Sequence, residues 1–292
     1  MVVATHVISA GDLEATFSPA NGMVCSSLRH RGEELLGGRR GLEVYVEAGK
    51  TMGIPLLHPW ANRLGGFSYA VGGVEVTIPR DSPEVRLEEH GLPLHGLVSA
   101  LHEWEVAEGG DGPLVAGRDV TGLAEFPFDH RVEVAAELAG TRLTLTTTVT
   151  PLGDRPVPIA FGHHPYFVLP GVPRAEWEIT LPVREHLLLD ENQIPTGERE
   201  PAGELDGPLG DRTFDDGYTV DPAGVTFALA GGGRRIEVAF EQGYPFAQVF
   251  APSVEDVICF EPMTAPADAL RHDPPSVAAG EAFSARFTIA VL

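Results

Sequence analysis

Five short islands mix polar groups with glycine, proline and aromatic residues: HPWANRL (58–64), LHG (94–96), GHHPYF (162–167), FDDGY (214–218) and FEPMTAPADA (260–269). Core packing requires none of that polarity. Imidazole titrates near neutrality, so His95, His163 and His164 suit general acid or base work. Glu261 closes the apolar run DVICF just before Pro262. A carboxylate there is partly desolvated, which raises its proton affinity and makes it a better base. Asp215 and Asp216 offer further carboxylates. Asn62 and Arg63 follow Trp60, so one loop carries an amide, a guanidinium fork and an aromatic face. Sugars call for that mixture, because hydroxyls take hydrogen bonds from planar groups while C–H faces pack on rings. The residue types alone also allow a surface arginine paired with a carboxylate, hydrogen-bonded structural histidines and a solvated strand-terminal glutamate.

His90, His95, His102, His163 and His164 also offer nitrogen ligands, yet none lies in an HExxH or CxxC pattern, so no metal site is expected. Cys25 and Cys259 lie far apart without metal spacing and read as buried thiols, with nothing to support a disulfide.

Strands must position these islands. From Arg131 to Thr150, Val132, Val134, Ala136 and Leu138 alternate with polar residues, and Leu143, Leu145, Thr147 and Val149 alternate after Gly140, which predicts a hairpin. GVTFALAGGGRRIEVAF reads the same way, its three glycines supplying the positive φ angles of a tight connection. Phe283, Ala285, Phe287, Ile289 and Val291 mark one face of a last strand. VEVTIP, HEWEV, EWEITL and DVICF are shorter strand candidates. Helix is expected only as short pieces near Glu33–Leu36 and Ala267–Leu270, and ERE-PAGELDGPLG reads as a long polar loop. Neither a repeat nor a domain linker is evident, so residues 1–292 are expected to form a single all-β domain, a large antiparallel sandwich.

Composition narrows the partners. Asp+Glu 42 against Lys+Arg 20 gives a net charge of −22, and Lys50 is the only lysine. Nucleic-acid binding needs clustered positive charge and is disfavoured. The same field argues, more weakly, for a neutral substrate. The N-terminal stretch lacks a basic region followed by an apolar run, and no 18-residue apolar stretch occurs, so a soluble, cytoplasmic protein with no membrane partner is expected. Oligomeric state is not legible.

In this order, the islands resemble the aldose 1-epimerase (galactose mutarotase) family: Asn62-Arg63, His95-Gly96, His164 in HPYF, Asp215 in DDGY and Glu261-Pro262. Each motif is weak singly; five in order along nearly the whole chain form a fairly specific signal. The resemblance implies a β-supersandwich with a pocket on its concave face and no cofactor. It implies that His164 is the acid and Glu261 the base, while Asn62, Arg63, His95, Asp215 and Gln248 bind the sugar. The residue before the acid is usually asparagine, whereas here it is His163, a change that bears on hydroxyl recognition or on the basicity of His164. A Gly-Arg pair often precedes the Asn-Arg segment, and this chain has His58-Pro59-Trp60 instead.

Epimerisation suits these residue types. Opening a hemiacetal requires O1 to lose a proton while the ring oxygen gains one, so a base and an acid act together. A hexose-6-phosphate 1-epimerase on the same fold would use extra basic residues, with Arg63, Arg80 and Arg86 as candidates. The same residue types would also serve a non-catalytic carbohydrate-binding protein, or a glycoside hydrolase working through Asp215 and Glu261.

Overall fold

A period of two in hydrophobicity buries one face of each strand and wets the other, and the chain folds accordingly. The computed structural model describes residues 4–107, 113–272 and 274–292. His130–Ala139 and Arg142–Pro151 form the first hairpin, paired throughout from His130↔Pro151 to Ala139↔Arg142. Val225–Gly231 and Arg234–Gln242 form the second. Only two of its three glycines take positive φ, Gly232 at 58° and Gly233 at 80°, because a two-residue turn needs no more. Phe283–Val291 lies between these hairpins, antiparallel to Arg142–Pro151 on one side and Arg234–Gln242 on the other. Among the described residues these five strands are the centre of a nine-stranded sheet.

A second sheet of eight strands carries most of the islands. It runs in the order Pro195–Pro201, Glu185–Leu189, Phe214–Thr219, Phe246–Ala251, Ile258–Met263, Gly162–His163 and Leu56–Leu57, with Tyr166–Phe167 also pairing onto Ile258–Met263. The two sheets stack face to face, with Phe260 against Phe227 at 5.4 Å and His163 against Phe287 at 5.1 Å between ring centroids. One apolar cluster fills the space between them and includes Trp60, Phe161, Trp177, Phe227, Phe240 and Phe287. This is the large antiparallel sandwich that the alternation predicts, with the layered sheets of the β-supersandwich that the resemblance implies.

Local expectations needed correction. Glu33–Glu34 is a strand rather than a helical turn. The C-terminal helical piece is a single 3-10 turn at Ala269–Arg271. The one α-helix among the described residues, Leu42–Ala48, was hidden by its two β-branched valines and its flanking glycines. Gly49 caps it at φ 64°, donating its N–H to the Tyr45 carbonyl, and Tyr45 is buried with Val24 and Met52. The polar segment 198–210 is not all loop: Pro195–Pro201 pairs with Glu185–Leu189, and Gly207–Pro208 pairs with Glu178–Thr180. Pro195–Pro201 is a sheet edge and almost wholly exposed, so it carries no apolar alternation to read. HEWEV contributes only Glu105–Val106, and the DVICF strand runs on through Glu261 and Pro262 to Met263.

Candidate active site

All six residues of Ile258–Met263 are buried because the strand is covered on both faces. Ile258 and Phe260 face the inter-sheet core, while Cys259 packs with Tyr166 and Met263 with Leu57 and Ala61 on the other face. Glu261 shares that second face by alternation. The neighbouring strands add to it in register. Gln248 is directly opposite Glu261, and Gly217 is opposite Gln248. Asp215 lies one step along and accepts a hydrogen bond from Gln248 Nε2 at 2.9 Å. A Cβ at residue 217 would sit 3.3 Å from Gln248 Oε1, so glycine there gives the amide room to lie across the strand.

His164 follows the short strand Gly162–His163, and its N–H donates to the Pro55 carbonyl at 3.1 Å. Its ring stacks on Tyr166, with centroids 4.3 Å apart and planes 10° off parallel, and meets the edges of His95 and Phe250. Its Nε2 is 3.3 Å from Glu261 Oε1 and 3.1 Å from the Tyr166 hydroxyl. That hydroxyl accepts from Arg39 Nη1 at 3.0 Å and touches Thr51 Oγ1 at 2.6 Å. A fixed tyrosine therefore holds the imidazole in place from beneath and beside.

The loop islands complete the site. His95 has φ 60°, and its N–H donates to the Asn62 carbonyl at 3.0 Å. Gly96 comes so close to the His58 carbonyl that a Cβ would be 2.0 Å from that oxygen, so only glycine lets this loop seat His95. Arg63 bridges two carboxylates, 3.4 Å from Glu88 Oε2 and 3.7 Å from Asp215 Oδ2. A cleft of about 530 Å³ is lined by Asn62, Arg63, His95, His164, Asp215 and Glu261. That volume is within the range of small-molecule sites. Six of the seven residues named from the sequence thus converge on one space. Gln248 does not line it; it lies behind Asp215, beside a small neighbouring hollow.

Burial sets the electrostatics. It pushes the Glu261 carboxyl well above the usual carboxylate range, with the nearby Asp215 charge adding to the rise and Arg63 opposing it. It pushes His164 well below the usual imidazole range, helped by His95 and Arg39. His95 is lowered to about 3, chiefly by burial and then by Arg86 and Arg63. Asp215 is raised by burial against the pull of Arg63. Both shifts favour the uncharged forms, a protonated Glu261 carboxyl beside a neutral His164 imidazole, so the pair holds one proton between them. Among the described residues Glu261 Oε2 has no hydrogen-bond partner. A donor hydroxyl placed on Oε2 would stabilise the carboxylate form and move the shared proton toward His164.

His164, Cys259 and Glu261 also bring nitrogen, sulfur and oxygen donors within 4.8 Å of one another. A metal would require the thiolate and carboxylate, whereas burial favours the protonated thiol and acid. Both cysteines are free and buried.

Several expectations change. His163 does not touch the cleft: its Nε2 pairs with Thr147 Oγ1 at 2.9 Å inside the sandwich, so it bears on core packing rather than on hydroxyl recognition. Glu261 is interior to its strand and not at its end. Arg39, Thr51 and the run Ala48–Lys50 were not singled out, although all line the cleft. The lone lysine and the Arg39-Arg40 pair were the available signals.

The profile of the aldose 1-epimerase family matches residues 6–290. Over 161 residues the chain is 27% identical to the protein YphB of Escherichia coli K12, an alignment covering 52% of each, so it spans about half of that relative. A structure from Escherichia coli K12, proposed to be an aldose 1-epimerase, superposes with a TM-score of 0.77 at 23% identity and 99% coverage of both chains. A galactose mutarotase-like protein from Clostridium acetobutylicum gives a TM-score of 0.84 at 16% identity, covering 98% of this chain and 94% of that one. At such identities the two structures speak to fold alone. The profile spans nearly the whole sequence, and on that ground this chain belongs to the aldose 1-epimerase family.

Proposed function

We propose that the protein is an aldose 1-epimerase that interconverts α and β anomers by ring opening and closure, with Glu261 as base and His164 as acid. The observation that carries this reading is a buried carboxylate with one oxygen unpaired among the described residues, 3.3 Å from an imidazole, in a cleft lined by Asn62, Arg63, His95 and Asp215. Glu261 takes the O1 proton and His164 delivers one to the ring oxygen. Rotation about C1–C2 presents the other carbonyl face, and the reverse transfers close the ring. Binding supplies what the empty pair lacks: the O1 hydroxyl donates to Glu261 Oε2, lowers its proton affinity and leaves the proton on His164.

Asn62, Arg63, His95 and Asp215 grip hydroxyls and keep the opened chain near the pair. Gln248 orients Asp215. The reaction as drawn uses only these side chains, with no cofactor and no metal. The whole chain acts as one domain, and its two free, buried thiols suit a reducing cytoplasm. Among the described residues no helix is long and apolar enough to cross a membrane.

Polarimetry on freshly dissolved α-D-glucose and α-D-galactose tests the reading, with Glu261→Gln and His164→Asn beside the unaltered protein. Accelerated change in rotation that both folded variants lose supports it. A rate equal to buffer on every sugar tried, free or charged, defeats it.

A further inference from the structure

The cleft is cationic in a strongly anionic protein. Acidic residues outnumber basic ones 42 to 20 over the chain, yet the charged cleft-lining residues are Arg39, Arg40, Lys50, Arg63 and Arg86 against Asp215 and Glu261. Two of these cations are already matched. Arg39 forms a two-pronged pair with Glu255, and Arg63 is bridged by Glu88 and Asp215. Arg40, Lys50 and Arg86 take part in no ion pair among the described residues.

Arg86 is the telling member. It is half-buried, its guanidinium Nε would lie 1.9 Å from a Cβ at Gly49, and it faces Leu94 across a strand pair. Arg63 bridges to the same Leu94. Burial lowers the proton affinity of Arg86, the Tyr45 hydroxyl opposes this, and no carboxylate among the described residues forms an ion pair with it. A half-buried, unpaired guanidinium aimed into a cleft is an anion site awaiting its anion. Arg40 and Lys50, before and after the helix Leu42–Ala48, place two more positive charges on the same wall. Glu43 and Glu47 of that helix do not line the cleft.

We propose that the cleft takes aldoses bearing an anionic group, a phosphate ester or a carboxylate, on the part of the sugar remote from C1, held by Arg86, Lys50 and Arg40. This rests on the epimerase reading, with C1 at the Glu261–His164 pair and the anion at the cleft's cationic residues. The net charge of −22 is no obstacle. Exposed charges beyond the screening length, about 8 Å at physiological salt, act weakly on a bound anion, so the local cations decide. Arg80, which the sequence also offered for a phosphate, stacks on Phe67 instead and does not line the cleft.

The test measures anomer exchange at equilibrium by two-dimensional NMR, and binding by calorimetry, on glucose, glucose 6-phosphate and glucuronate. A kcat/KM at least about tenfold higher for one or both anions than for glucose is expected, since one charge-assisted contact is worth that much. Preference for the phosphate or for glucuronate identifies the anion. Arg86→Gln should cut the anion-to-glucose ratio about tenfold, and the more exposed Lys50→Gln and Arg40→Gln should cut it less, each loss shrinking in high salt. Equal kcat/KM on all three sugars, or a preference indifferent to these variants, overturns the anion inference while leaving the epimerase reading intact. If no sugar is exchanged, the epimerase reading fails by itself. The calorimetric Kd values then decide the anion: tighter binding of an anionic sugar, weakened by Arg86→Gln, upholds the cationic wall, and equal or absent binding removes it.

Discussion

Two groups of histidines lie on opposite faces of one sheet, and adjacent residues divide them. His164 joins His95 beside the cleft. His163 points the other way, toward His58 and His130 between the sheets. Burial weakens the basicity of all five, to about 3 at both His95 and His163 and to about 4 at His130. What differs is the company. His58 and His130 meet Nε2 to Nε2 at 2.7 Å, and His130 Nδ1 lies 2.6 Å from the Phe128 carbonyl. His163 has a threonine hydroxyl. Only His164 has a buried carboxylate beside it and open volume in front of it. Burial and a displaced titration therefore do not mark a catalytic imidazole by themselves; a proton-exchanging partner and room for substrate do.

The proposed catalytic pair, Glu261 and His164, offers the hardest test of that contrast. Glu261→Gln or His164→Asn should lower kcat/KM for anomer exchange by about 10²–10⁴, the usual worth of one positioned proton transfer. His163→Asn, one residue away, should leave the rate near that of the unaltered protein. Equal losses at 163 and 164 would abolish the distinction between the two faces. The pH profile of kcat/KM should be bell-shaped, because a second proton on the pair removes the base and loss of its single proton removes the acid. A rate that climbs steadily with pH would mean that only the base matters.

Smaller effects should follow from the supporting residues. Tyr166→Phe removes the hydroxyl that ties His164 to Arg39 and Thr51, and about a tenfold fall in kcat is expected with little change in KM. Gln248→Leu frees Asp215, and KM should rise about tenfold while kcat holds. Steady-state exchange rates over a sugar concentration series separate the two outcomes. An unchanged KM in Gln248→Leu would mean that Asp215 is held without it.

The core histidines should be visible in stability and not in rate. They are neutral when folded but titrate near 6.5 when the chain unfolds, so the unfolded state binds more protons below that value. Stability is then full above about pH 6.5 and is lost as pH falls toward the folded values of about 4 for His130 and about 3 for His163. Each such group contributes roughly 1 kcal/mol per pH unit inside that window. Calorimetry from pH 7 to 5 should show a falling Tm, and a shallower fall in His163→Asn. A Tm independent of pH over that range would contradict the neutral core.

The fold class was legible because alternation is a local record of which face meets water. Arg131–Thr150, residues 224–240 and Phe283–Val291 carried it clearly. Where a segment is an exposed edge, as at Pro195–Pro201, the record is blank, and where it is buried on both faces, as at Ile258–Met263, an apolar run marks the strand without marking where it ends. The candidate site residues were legible as polar groups embedded in glycine, proline and aromatic settings, and through the family resemblance that their order carries.

What the chain determines by itself is therefore the strand pattern, the inventory of reactive groups and the overall excess of negative charge. The resemblance names His164 as the acid, but only the tertiary structure decided that its ring lies 3.3 Å from Glu261 while His163 turns into the core, that Gln248 hydrogen-bonds Asp215, and that scattered cations gather in one cleft. The physical reason is that side-chain direction depends on strand register and on pairing between segments distant in sequence. Composition sums charges over the whole chain, whereas a bound ligand feels those within a few ångströms.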